Sequence, residues 1–579
     1  KKSALGKLEH AGKLGYQALL AESSAAWQKE WDTSDITIEG DDEADRATRY
    51  AIYQMLIAAP RRNERVSIPA KSLSGFGYRG HVFWDTEIFL LPFFIYTQPK
   101  IARRLLMYRY NTLPAARQKA KVNGYEGAQF AWESAASGEE TTPRWVPLPD
   151  GNLVRIWCGD IEHHITSDIA YAIHHYWRIT GDAEFMRDFG AEIMLETARF
   201  WNSRAEWDEK FNRYNINDVI GPDEYHDHVD NNAYTNNFAR WNILAGLEVL
   251  AWLRKEAPAK AADLEQQLEI TAQKLAHWQH VSDQLYLGYD AKSGLYEQFE
   301  GFFKRTKVAL NTFEPRKESM QALLGIEKTA TYQILKQPDV LMMLYLLGLQ
   351  DANGLVKRNF DYYTPITDSS YGSSLGPPIQ AIMATRVGDI KTAYELFKLS
   401  EKTDLGDIRG NSGDGIHIAT HGGIWQTVVF GFGGLEFGPD GPVVHPNLPA
   451  RWKRLRFKVV VAGKTFEFDI RPPAKVSRKT IPPIQGAIFD LDGVLTDTSE
   501  LHYQAWKRLA DEEGIPFNRE DNEALRGISR RESLLLLLKG RQIIETKLVE
   551  MMERKNRYYL GSVGLLTKKD LLPGSRSLL

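Results

Sequence analysis

NDVIGPDEYHDHVDNNAYTNN, residues Asn217–Asn237, is crowded with side chains that hydrogen-bond to hydroxyl groups. A Gly-Pro turn at Gly221–Pro222 sets Asp223 and Glu224 on a loop, and a carboxyl group held in this way can protonate a leaving oxygen. On its own, an Asp-Glu pair reads as an acidic surface turn. His226 and His228 flank Asp227, which raises the question of a metal, but the EF-hand register fails because neither its central Gly nor its closing Glu is in place. What surrounds the segment decides the fold. To about Phe430, apolar residues recur at helical spacing, as in Ala47–Ala59, Ile169–Trp177, Ile193–Trp201, Asn242–Leu253, Leu264–Trp278 and Val340–Leu349. The loops between these helices are long and rich in Gly, Pro, Asn, Asp and aromatic residues. That pattern suggests function gathered at one end of a helical assembly.

Three other segments share the polar-aromatic character. His81–Leu91, HVFWDTEIFLL, places Trp84 and Asp85 at the start of a helix. Lys336–Asp339, KQPD, directly precedes an apolar helix. Gly413–Phe430, GDGIHIATHGGIWQTVVF, has the pair Ser373–Ser374 upstream; consecutive glycines bare backbone N–H groups, and His and hydroxyl side chains add donors suited to an oxyanion such as phosphate. Each piece alone also reads as plain structure: Trp84 as core, Lys336 as a solvated helix start, the glycines as a turn. The pairs His163–His164 and His174–His175 have no metal-ligand spacing and read as structural.

The 579 residues carry a formal net charge of −3, with 43% hydrophobic and 11% aromatic residues, enough for several domains and at least one large core. Near-balanced charge gives no electrostatic reason to expect nucleic acid or an anionic membrane. The lone cysteine, Cys158, excludes an intrachain disulfide and fits a reducing compartment. With no signal peptide and no membrane-length apolar run, a cytoplasmic location is expected. From Gly433 the texture changes: Gly and Pro become frequent, and Arg454–Ile470, RLRFKVVVAGKTFEFDI, alternates as two strands around a turn at Ala462–Lys464. Pro472–Pro483 follows as a stiff linker. Then Phe489–Thr498, FDLDGVLTDT, ends an apolar strand at Ala487–Phe489 in two aspartates. Asp490 can attack phosphorus, Asp492 can shuttle the proton, and both can help hold Mg²⁺. Helical stretches at Glu500–Glu513 and Asp521–Leu538 come after it, too little chain to complete such a domain.

In this order, HVFWDTEIF, NDVIGPDEYH, NNAYTNN, KQPDVL and GIHIATHGG resemble the catalytic module of glycoside hydrolase family 65, which comprises maltose, trehalose, kojibiose and nigerose phosphorylases and a few hydrolases. The resemblance covers Glu39 to Pro473. It implies a mainly α fold: linker helices over 1–38, an (α/α)6 barrel over 39–432 and a small C-terminal β-sandwich piece over 433–473. The large N-terminal β-sandwich usual in the family is not seen in the sequence. After a linker at 474–484, residues 485–579, with LHYQAW and ALRGISRRESL, are similar to β-phosphoglucomutase of the haloacid-dehalogenase superfamily, as a truncated α/β domain. Carried over residue by residue, Glu224 matches the general acid. Trp84, Asp85, Lys336 and Gln337 match residues that hold the non-reducing glucose. His417, Thr420 and the amides of Gly422 and Gly423 fall where the phosphorylases bind phosphate, with Ser373 and Ser374 as hydroxyl ligands. In the tail, Asp490 and Asp492 match the mutase nucleophile and acid/base, and Arg530 a cap residue that grips the distal phosphate. The resemblance implies no cofactor for the barrel, Mg²⁺ for a complete mutase, and a homodimer. One departure stands out: the phosphorylases carry a His shortly before Ser-Ser-Leu-Ser, whereas TPITDSSYGSSLGPP has no His and Gly376 in place of the last Ser.

An inverting hydrolase needs one carboxyl group to protonate the leaving oxygen and a second to activate water. A phosphorylase needs only the acid, plus donors for the anion. Between Asp407 and Trp425 there is no Glu, but there are His417, Thr420, His421 and a Gly pair. The expected reaction is therefore inverting phosphorolysis of an α-linked glucosyl disaccharide to β-glucose 1-phosphate and a free sugar. Resemblance of the tail to a β-specific mutase agrees with that product. The alternatives are an inverting α-glucosidase with Asp407 or Asp414 as base, and mutase chemistry from the incomplete C-terminal domain. The partners are then a disaccharide and inorganic phosphate, with no nucleic acid and no membrane; no residue pattern distinguishes the linkages.

Overall fold

The computed structural model describes residues 2–147, 151–349, 354–438, 441–472, 496–567 and 569–572. Contacts divide it into two units, Lys1–Ala474 and Lys475–Leu579.

In the first unit, Asp41 caps the helix Asp42–Ala58 by accepting a hydrogen bond from Ala44 N. Asp42, Glu43 and Asp45 lie in its first turn, where negative charge meets the positive end of the helix dipole. Its buried face, with Ala44, Ala51, Ile52 and Met55, packs against Ile418–Gln426, the last long helix of the assembly. That first-to-last contact closes a ring. The inner helices Leu91–Thr97, Asp339–Leu346, Gly376–Arg386 and Ile418–Gln426 are buried nearly all round, as are the N-terminal halves of Ile165–Thr180 and Ala233–Glu256. Amphipathic helices such as Pro99–Val122 and Ile390–Leu405 pack around them. This is the double ring of an α/α barrel.

Close approach between inner helices rests on glycine. A Cβ at Gly422 would stand 2.2 Å from the carbonyl oxygen of Phe89, and one at Gly423 would stand 2.6 Å from Pro378 Cβ. The Phe89 oxygen is backbone, so the helices must part to admit a methyl group. Gly422→Ala should therefore destabilise the barrel by about 1–3 kcal/mol despite the better helix propensity of Ala. A lowered denaturant midpoint checks this; an unchanged one would show that the helices yield freely.

The β piece is an antiparallel sheet in which Arg454–Val461 pairs with Lys464–Ile470 across Ala462 and Gly463, both at positive φ (+48° and +75°). Leu455, Phe457 and Val459 alternate inward and are buried. The third strand is Thr37–Glu39, paired with Arg456–Arg454, so a short segment next to the N-terminal helix Lys2–Ser34 belongs to the C-terminal sheet. A separate hairpin joins Leu435–Gly438 to Gly441–Val444.

Two expected helices are interrupted. Leu264–Trp278 divides into Pro258–Gln267 and Ala272–Gln284, with Glu269 at φ +52° between them and Thr271 capping the second. Asp521–Leu538 divides into Arg519–Glu523 and Arg530–Leu537, each opened by a capping box. The described part of the second unit also has helices Ser499–Glu512 and Glu545–Val563, around a core that includes Trp506, Leu509, Leu534 and Met551. The strand expected at Ala487–Phe489 and the linker at 474–484 lie outside the described residues. Among the described residues, no helix is long and apolar enough to cross a membrane.

Candidate active site

The barrel holds a cavity of about 650 Å³ whose walls include Trp84, Asp85, Cys158, Glu224, Lys336, Gln337, Ser373, Ser374 and His417. Most of them lie just ahead of an inner helix: Trp84 and Asp85 before Thr86–Thr97, Lys336 and Gln337 before Asp339–Leu346, the serines before Gly376–Arg386, His417 before Ile418–Gln426; Glu224 stands in the loop that leads to Ala233–Glu256, and Cys158 opens the short helix Cys158–Ile161. The cavity therefore sits at the N-terminal ends of the inner ring, where unpaired backbone N–H groups and helix dipoles favour negative charge.

Trp84 is buried, edge-on to Phe89 and to His164, with ring centroids 5.6 and 4.8 Å apart. Its loop is anchored by Arg109, which donates to both oxygens of Glu87 (2.7 and 2.8 Å) and to the Phe83 carbonyl (2.8 Å). Burial, reinforced by the charges of Glu87 and Glu224, pushes the Asp85 carboxyl up to about 7. The Glu224 loop is equally fixed. Asp223 accepts from the backbone N–H of Lys336 at 2.6 Å and pairs with His226 at 2.7 Å, while the other ring nitrogen of His226 meets the Tyr332 carbonyl at 3.0 Å. His228 pairs with Asp218 at 2.5 Å, so both histidines of the loop serve its shape.

Lys336 Nζ donates to Glu224 Oε1 at 3.0 Å. Burial alone would lower the pKa of this ammonium, but the Glu224 charge holds it above the usual lysine value. Gln337 is buried, and its Oε1 has no hydrogen-bond partner among the described residues, which leaves an acceptor for a sugar hydroxyl.

A second group in the same wall is cationic. His417 Nδ1 lies 2.7 Å from Asp404 Oδ1, its backbone N–H donates to Asp404 Oδ2 at 2.9 Å, and its Nε2 lies 3.0 Å from Lys71 Nζ. Burial tends to raise the Asp404 carboxyl, yet hydrogen bonds and charge from His417 and His421 hold it well below the usual carboxylate range. Lys71 and Arg409 also line the cavity, and burial lowers the pKa of both. Arg409 Nε has no hydrogen-bond partner among the described residues. Desolvated cations with unspent donors are suited to a tetrahedral oxyanion.

Not every expected phosphate ligand belongs to this wall. Thr420 is buried and donates to the Ser374 carbonyl at 3.0 Å, supporting the serine loop from behind. Gly422 and Gly423 lie within a helix and pack on Phe89 and Pro378, away from the cavity lining. Asp407 and Asp414, the candidate bases, are exposed and line no part of the cavity. Lys71, Asp404 and Arg409 belong to no sequence motif: Lys71 and Arg409 stand in Gly- and Ser-rich loops next to HVFWD and GIHIATHGG, and Asp404 lies in the last turn of the helix Ile390–Leu405. A further stretch of wall carries Tyr78, Trp132, Glu133, Thr142 and Ile156, with Glu133 paired to His81 at 2.8 Å.

In the second unit, Arg530 lines a separate cavity of about 720 Å³ with His502, Trp506 and Lys555. Burial and the Arg530 charge push the Lys555 ammonium down to about 8. Asp490 and Asp492, the pair expected to hold Mg²⁺, lie outside the described residues.

Comparison with known proteins gives both units relatives. The family profile described as glycosyl hydrolase family 65 central catalytic domain matches residues 49–426, and that of the haloacid dehalogenase-like hydrolases matches residues 484–579. The chain is 46% identical over 458 residues to a kojibiose phosphorylase of Caldanaerobacter subterraneus subsp. tengcongensis, covering 79% of this chain and 59% of the relative. It is 35% identical over 462 residues to an α,α-trehalose phosphorylase of Thermoanaerobacter brockii, covering 80% and 58%. A solved structure from the human microbiome, assigned as a kojibiose phosphorylase, superposes with a TM-score of 0.74 at 29% identity, covering 81% of this chain and 67% of that one. The chain thus spans about three-fifths of the length of the curated relatives it matches.

Proposed function

The chain belongs to glycosyl hydrolase family 65, and from that membership and its cavity we propose that the barrel catalyses inverting phosphorolysis of an α-linked glucosyl disaccharide. The glucosyl unit sits among Trp84, Asp85, Lys336 and Gln337. Glu224 gives its proton to the glycosidic oxygen as the C1–O bond breaks, and the resulting carboxylate is stabilised by Lys336 at 3.0 Å. Phosphate, held by Lys71, Arg409, His417 and the Ser373–Ser374 loop, attacks C1 from the face opposite the leaving oxygen. The products are β-glucose 1-phosphate and the free acceptor sugar, which leaves past Trp132, Glu133 and Thr142.

The observation that carries this reading is the makeup of the second group. Hydrolysis with inversion needs a carboxylate there to activate water. In its place stand an imidazole, an ammonium and a guanidinium, while Asp404 is committed to His417, and Asp407 and Asp414 face solvent. The phosphorylase relatives support the same choice, and put kojibiose first in a panel with trehalose, nigerose and maltose. Proton NMR of each incubation, with and without phosphate, tests it. β-Glucose 1-phosphate is expected from one disaccharide and only when phosphate is present. Release of β-glucose in buffer without phosphate would make the protein an α-glucosidase.

A further inference from the structure

The lone thiol of the chain lies beside the residue read above as the acid. Cys158 Sγ is 3.8 Å from Glu224 Oε2. A carboxylate oxygen of Glu162 completes the group, and the three ligating atoms all fall within 4.8 Å of one another. Glu162 is 1% exposed and stands within hydrogen-bonding reach of the Cys158 thiol, and its Oε2 has no other partner among the described residues; a buried oxygen in that state calls for a water or an ion. Its other oxygen lies 3.3 Å from His164 Nε2, and His164 Nδ1 lies 2.7 Å from Asp168, so the carboxylate is held in place from behind. None of the steps proposed for phosphorolysis uses Cys158 or Glu162.

We propose that Cys158, Glu162 and Glu224 form an inhibitory site for a thiophilic divalent cation such as Zn²⁺. Sulfur and oxygen ligands on a tetrahedral Zn²⁺ stand about 3.5 Å apart, given Zn–S and Zn–O bonds of about 2.3 and 2.0 Å, close to the spacing already present between Cys158 and Glu224. The charges also match. One thiolate, two carboxylates and the Lys336 ammonium sum to −2, which a divalent ion neutralises. Cys158 faces the cavity, so the ion has a way in, and water or a sugar hydroxyl supplies its fourth ligand. On binding, the thiol and any protonated carboxyl of the group release their protons to solvent as the metal–sulfur and metal–oxygen bonds form. The ion then occupies the oxygen with which Glu224 would donate its proton, so the inhibitory part of the proposal rests on the acid role assigned above.

The test is a titration of the full chain with Cd²⁺, read by the thiolate-to-cadmium absorption band in the ultraviolet. Because the chain has one cysteine, that band reports this site alone. One Cd²⁺ per chain is expected, displaced by Zn²⁺, with Cys158→Ser losing the band and Glu162→Gln weakening binding by about 10–100-fold. No band at excess Cd²⁺ on the native chain, or a band whose affinity is unmoved in Glu162→Gln, would overturn the site; neither reading depends on the Cys158 variant folding. A parallel assay should show Zn²⁺ inhibiting disaccharide turnover and a chelator restoring it. A stoichiometric band with full activity at saturating metal would leave the site standing and remove Glu224 from the acid role.

Discussion

Glu224→Gln is expected to lower turnover of the disaccharide by about 10²–10⁴-fold, the range set by removal of a positioned general acid. The effect should fall on kcat. Glutamine keeps the volume of the side chain and still offers an oxygen to Lys336, so the cavity keeps its shape and the KM for disaccharide should hardly move. The loss should be equal with phosphate and with water, since both routes must protonate the same leaving oxygen. A substrate that needs no acid separates chemistry from damage: α-glucosyl fluoride expels fluoride without protonation, so the variant should still convert it with phosphate to β-glucose 1-phosphate. Near-native turnover of the disaccharide would place the acid elsewhere, and equal loss on the fluoride would mean that Glu224 shapes the site without donating the proton.

The residues that were legible in the sequence share a property: they stand in short strings whose order along the chain is itself information. Trp84 and Asp85 in HVFWD, Glu224 in GPDEY and Lys336 and Gln337 in KQPD each precede an inner helix, and the apolar periodicity of those helices announces the ring. Lys71 and Arg409 were not legible, because a single cation in a Gly- and Ser-rich loop has no pattern of its own. Only closure of the barrel brings Lys71 within 3.0 Å of His417 across 346 residues of sequence. Gly422 and Gly423 were misplaced for the opposite reason. A Gly pair beside His suggests bare amides, yet the same absence of Cβ allows a helix to approach the Phe89 carbonyl, and sequence does not tell the two uses apart. The strand Thr37–Glu39 is too short to show alternation, and its pairing depends on Arg454–Val461 at the far end of the unit. The break at Glu269 is equally hidden, since a left-handed residue other than Gly carries no signal in the apolar pattern.

Closure of the ring also sets the second large effect. Removing one charged donor from phosphate should cost about 1.5–3 kcal/mol, or about 10–150-fold in affinity. Both His417→Ala and Lys71→Met should therefore raise the KM for phosphate by one to two orders of magnitude, while leaving the KM for disaccharide near its native value. The two side chains are not independent. Asp404 holds the Nδ1 side of His417, so that Nε2 faces Lys71 and the space in front of it, and an anion that enters there meets both side chains at once. Their losses should accordingly be non-additive, with a coupling of about 0.5–3 kcal/mol in a double-mutant cycle. Asp404→Asn, which keeps the shape and removes the charge, should imitate His417→Ala in its phosphate dependence without touching the cavity wall. Unchanged phosphate KM in both single variants would remove this cluster from anion binding, and with it the main physical ground for preferring phosphate to water as the nucleophile.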